Sequence, residues 1–83
     1  MEILEYSGRL EDLRRLINRV NPEYRQDLMT MFQNVKNVYL LLQVAAIDCR
    51  RLHTVTANYT TIAERFDQHY AEVEQMTTLA LLL

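Results

Sequence analysis

Few side chains in this chain can do chemistry, and their spacing limits what they can do. Asp48, Cys49 and His53 fall in one short stretch. On a helix, Cys49 and His53 are four positions apart and share a face, which is the geometry of a thiol beside a base. A nucleophilic cysteine also needs that base held by a third group, and a tetrahedral metal site needs a fuller ligand set than one thiol, one carboxylate and one imidazole. The other histidine, His69, is sixteen positions from His53, with no acid or thiol at ligand spacing to join them. Cys49 therefore reads as a small core hydrophobe, and the two histidines as seam or surface residues. The doublets Arg14-Arg15 and Arg50-Arg51 read as solvated faces and ion-pair partners, because a nucleic-acid surface needs a wider basic field and a reading element. A single Gly excludes a glycine-rich phosphate loop. These residues predict no catalytic, cofactor or metal site. They point to a protein that is not an enzyme.

The elements that must carry these residues follow from composition and period. The chain has 83 residues, 49% hydrophobic and 24% charged, with one Gly and one Pro. That composition suits a few long helices and does not suit a turn-rich β fold. A chain this short buries a small share of its surface and is marginal alone. The net charge of −2 gives no strong pull toward nucleic acid or anionic lipid. Arginine far outnumbers lysine, which suits planar ion pairs along helix seams. Cys49 has no disulfide partner in the chain. The acidic, amphipathic start lacks the basic and apolar regions of a signal peptide, so a cytoplasmic location is expected. No run approaches the ~20 apolar residues that span a bilayer. The triplet Asn58-Tyr59-Thr60 matches a glycosylation acceptor, a common chance occurrence that carries little weight without a secretory signal.

Ile3, Tyr6, Leu10, Leu13, Ile17 and Val20 alternate spacings of three and four, the seam of a packed helix. This predicts a first helix over about 2–20, with Gly8 weakening its start so that it frays or begins near Ser7. Asn21-Pro22-Glu23 predicts a sharp boundary: Asn as N-cap, Pro at the first helical position, and an acid favourable to the helix dipole. A second helix runs from 22 to about 53 on Leu28, Met31, Val35, Val38, Leu42, Ala45, Cys49 and Leu52. A new register then takes over on Val55, Tyr59, Ile62, Phe66, His69, Val73 and Met76, over about 58–79, and the switch amounts to a stammer. Thr61 with Glu64 fits a capping box. Two readings stay open. The helix either breaks between 53 and 60 or runs near-continuously, bent, for roughly 85 Å; the continuous form is preferred. The whole is one all-α domain, a helical hairpin or three-helix coiled-coil-like bundle.

The stretch Tyr39–Ile47, YLLLQVAAI, is apolar almost all the way round, as a helix buried on several sides is. The first helix covers one side. The other meets a partner chain or a third helix folding back. The expected partner seam is Val35, Val38, Tyr39, Leu42, Ala45, Leu52, Tyr59, Ile62, Phe66 and Val73, and Leu42→Asp is expected to abolish assembly. The C-terminal LALLL reads as a docking tail or as a chain cut inside a longer helix.

The second half, about 20–76, resembles the small coiled-coil shoulder subunit of dynactin. The residues that carry the resemblance are Pro22-Glu23 opening a helix, Leu28, Met31, Leu52, the pair Thr60-Thr61, Ile62 and Phe66. Against the family pattern, one spacing between Leu52 and Phe66 is off by a residue, His69-Tyr70 stand where the family has an aromatic-acid pair, and the chain is much shorter. The resemblance implies an architectural subunit with dynamitin and the large dynein-binding subunit as partners. Apart from it, the sequence supports a structural or adaptor subunit that forms homo- or hetero-oligomers through an apolar helical seam, with no nucleic acid and no membrane span. The alternative is a small helical chaperone that binds one dedicated client, of the secretion co-chaperone type.

Overall fold

A computed structural model describes residues 3–83. It contains three helices, α1 (Ile3–Ile17), α2 (Pro22–Leu52) and α3 (Ala57–Leu81), and no strand among the described residues. They pack as an all-α three-helix bundle, elongated at 47 × 17 × 15 Å.

α1 is helical from Ile3, so Gly8 lies well inside it, exposed and with nothing near its missing Cβ. Ser7 is not its start. The α-helix ends at Ile17, short of Val20, and tightens into a turn in which the Arg19 and Val20 amides donate to Leu16 and Ile17. Val20 is still buried. Asn21 occupies the N-cap position of α2, but its side chain makes no capping bond. The corner is fastened by Arg25, whose guanidinium donates to the carbonyls of Asn18 (3.2 Å) and Val20 (2.9 Å). A cation at the end of α1 also suits the negative pole of that helix.

The preferred continuous helix does not form. α2 stops at Leu52, His53 takes the left-handed conformation (φ 56°), and the Thr54 amide closes onto the Cys49 carbonyl. Thr56, and not Thr61, caps α3: its Oγ1 accepts the Tyr59 amide at 3.1 Å. Thr61 instead donates to the Ala57 carbonyl inside the helix. The Thr56 amide donates to Cys49 Sγ at 3.4 Å, so the thiol ties the loop back onto α2. HTVTANYTT is poor in helix formers and rich in capping groups, and here the chain reverses.

Reversal creates the core. Leu13, Ile17, Val35, Leu42, Phe66 and Val73 are fully buried between the three helices. Leu52, Val55 and Met76, expected on the seam, are exposed: Leu52 is the last residue of α2, Val55 lies in the loop, and Met76 borders a cleft near the end of α3. Phe32, Ala46, Tyr70 and Thr77 are buried although the two registers omit them. A helix packed between two neighbours buries an arc wider than a two-position stripe.

Candidate interaction surface

The chemistry-bearing residues separate into structural roles. Cys49 is buried, with Thr56 Oγ1 at 3.6 Å from its sulfur. His53 is exposed in its cap, and no side-chain hydrogen bond joins it to the Cys49 thiol among the described residues, although both line a cleft of about 340 Å³ with Ile3 and Arg50. No group of three or more His, Cys, Asp or Glu able to hold a metal occurs among the described residues. His69 stands 3.7 Å from Glu72 on the surface. Of the arginine doublets, Arg14 binds Glu11, which holds that carboxyl below its usual range, and Arg51 pairs with Asp48 at 3.3 Å.

The aromatic residues of the seam gather where α1 crosses α3. Tyr6 meets Phe66 edge-on at 5.0 Å, and Tyr70 stacks on Phe66 at 5.8 Å. Arg9 lies over the cluster, 4.5 Å from the Tyr70 ring, and its Nη1 reaches Asp67 at 2.8 Å. Burial pushes the Tyr70 hydroxyl up, with Glu74 adding to it and Arg9 opposing. Tyr59 is pushed up to about 12 by burial first and by Tyr6 next. Its hydroxyl is buried without a hydrogen bond of normal geometry among the described residues.

Of the expected partner seam, Val35, Val38, Leu42, Ala45, Tyr59, Ile62, Phe66 and Val73 are buried in the chain's own core. They are occupied by one another and offer no surface to a second chain. Tyr39 is half-buried, its hydroxyl accepting from Gln43 Nε2 at 3.2 Å. Leu52 is exposed and packs in no seam.

The surface open to a partner is a different set of side chains from the same stretch. α1 and α3 together cover Leu42, Ala45 and Ala46 but leave Leu40, Leu41, Val44 and Ile47 between 48% and 62% exposed. Leu40, Val44 and Ile47 are spaced four and three apart, and they project from the side of α2 opposite Val35, Leu42 and Cys49. Beside them a groove of about 280 Å³ separates α1 from α2, with Leu40, Lys36 and Tyr39 on one wall and Ser7 and Glu11 on the other. A second apolar area lies at the far end, where Tyr24, Leu28 and Met31 face Met76, Leu79 and Leu83 across about 200 Å³. No described helix is long and apolar enough to cross a membrane. A contiguous apolar stripe of this size on a small chain is the usual mark of an interaction surface. Comparison of the chain with family models, curated proteins and solved structures gives no match.

Proposed function

We propose that the protein is a non-enzymatic structural or adaptor subunit that works by helix-to-helix association through the outer face of α2. One observation carries this reading: Leu40, Leu41, Val44 and Ile47 remain solvent-exposed after the bundle has closed. The core does not need them, and exposed aliphatic side chains in a row favour association and aggregation unless covered. The side chains that could do chemistry are engaged in capping, packing and surface ion pairs, which favours a binding role over a catalytic one. A dynactin-type shoulder is the narrower form of the proposal. It rests on the resemblance running from Pro22 to Phe66 and would make dynamitin and the large dynein-binding subunit the covering chains.

A second reading, a small chaperone holding one client, is favoured by the methionine-flanked apolar cleft at Tyr24, Met31, Met76 and Leu83. Methionine adapts its shape to varied apolar partners.

A photo-crosslinking amino acid placed at Val44, and separately at Gln68 on the outer face of α3, tests the main reading in the cells that make the protein. Adducts from Val44 and none from Gln68 are expected. Equal adducts from both positions, or none from Val44, overturn it; with the same amino acid placed at Met76, adducts from Met76 and none from Val44 would move the client-binding reading ahead.

A further inference from the structure

The outer face of α2 carries a heptad of its own, distinct from the register of the core. Gln33, Asn37, Leu40, Val44, Ile47 and Arg51 alternate spacings of four and three, with Asn37, Val44 and Arg51 at the a positions and Gln33, Leu40 and Ile47 at the d positions. Val44 at a and Leu40 at d fit a two-stranded parallel pairing, whereas Ile47 at d and the polar ends add nothing to that preference. A β-branched residue at a and leucine at d favour two parallel strands, and a single asparagine at a fixes the register. Asn37 is already oriented for this: Gln33 Nε2 donates to its Oδ1 at 3.0 Å, which leaves the Asn37 amide hydrogens free.

We infer that the occupant of this face is a second copy of the chain, with the two α2 helices parallel and in register across Asn37, Leu40, Val44 and Ile47. The inference rests on the functional reading above and names its partner. Self-complementarity argues for a second copy. Asn37 can donate to and accept from its own counterpart, an amide pair that an apolar partner helix would leave unsatisfied. On the flanks, Gln43 comes beside Asp48 of the second copy. One Gln43 amide hydrogen is used by Tyr39, and the second is available to that carboxylate. Lys36 comes beside Leu41 of the second copy, where its aliphatic stem covers the exposed leucine while the ammonium stays in water. The symmetry axis makes each of these contacts twice. An antiparallel arrangement that keeps the apolar residues together would set Lys36 against Arg50 of the second copy at both ends, which repels. In the parallel pair the two Arg51 residues approach each other, but each already carries Asp48 of its own chain at 3.3 Å.

The strip from Gln33 to Arg51 is about 27 Å long, which gives a small interface near the lower end of the stable class. A reversible dimer with a micromolar dissociation constant is therefore expected. The bundle's core does not depend on it.

Sedimentation equilibrium across the micromolar range tests the dimer, and Asn37→Cys in a Cys49→Ala background tests its geometry. Expected are a concentration-dependent dimer, at least tenfold weaker for Val44→Asp with an unchanged thermal melt, and rapid oxidation of Asn37→Cys to a chain of doubled mass. Should Cys49→Ala weaken the fold, Asn37→Cys with Cys49 retained gives the same readout, since the buried thiol reacts slowly. A monomer at every concentration overturns the inference. So does cross-linking that needs a mixture of Asn37→Cys and Ile47→Cys chains, the antiparallel outcome, in which Asn37 faces Ile47 of the second copy. If the chain is monomeric while Val44 still crosslinks a protein of another mass, only the choice of partner has failed. If Val44 captures nothing, the functional reading has failed with it.

Discussion

Tyr59 shows how much a single buried hydroxyl weighs in a bundle this small. Its ring packs in the core while its oxygen finds no regular hydrogen bond among the described residues, and an unsatisfied buried hydroxyl costs about 1–3 kcal/mol. Tyr59→Phe is expected to raise the thermal melting point slightly, by the equivalent of about 1 kcal/mol. The same residue predicts alkaline behaviour. Its folded value, about 12, lies above the ordinary tyrosine value of 10.0, so the fold holds the proton more tightly than the unfolded chain does. The associated stability is complete below pH 10 and is lost as pH rises toward 12. Denaturant midpoints measured across that range should fall for the wild type and fall less for Tyr59→Phe; parallel curves would remove Tyr59 as the cause. The identity of Tyr59 as a seam aromatic was legible from its spacing. Its missing partner was not, because hydrogen-bond satisfaction depends on which groups three helices bring together.

At the scale of the element, the hairpin loop between α2 and α3 decides the architecture. The sequence around His53–Thr61 is weak in helix formers, yet its heptad positions continue across it, so period and propensity disagree. Period extended the helix, and the structure followed the caps. His53 supplies the left-handed residue at φ 56°, Cys49 and Thr56 clamp the loop, and Thr56 starts α3. A left-handed non-glycine residue is held at a cost of about 1 kcal/mol. His53→Gly is expected to stabilise the protein by about 0.5–1 kcal/mol, since glycine is the preferred residue at this helix end, and chemical denaturation measures it. A destabilised variant would mean that the imidazole makes a contact the loop depends on. The Asn21-Pro22 boundary, by contrast, was legible in advance, because proline at a first helical position is a local signal. The Arg25 bonds that secure the corner were not, since they bridge two helices.

For the whole molecule, the consequence of the reversal is that the strongest heptad residues are used inside the chain. Leu42→Asp, read from the sequence as a test of assembly, is instead a test of folding. The side chain is fully buried, and an uncompensated charge there costs several kcal/mol, a large part of the stability of any small domain. Circular dichroism should show Leu42→Asp largely unfolded, and Val44→Asp, two positions along the same helix, as helical as the wild type. If both variants keep their helicity, the core assignment fails; if both lose it, Val44 belongs to the fold and not to an open surface.

The sequence by itself determined that the chain is all-α, where α2 begins, and that Tyr39–Ile47 has more apolar surface than one neighbour can cover. These follow from local physics: propensity, caps and the 3.6-residue period act over a few positions. Which side of that stretch is inside was decided only by the tertiary structure. A helix apolar on all sides has no pattern to orient it, so the choice fell to the loop at His53–Thr56, which folds α3 back over Leu42 and Ala45 and leaves Leu40, Val44 and Ile47 facing outward.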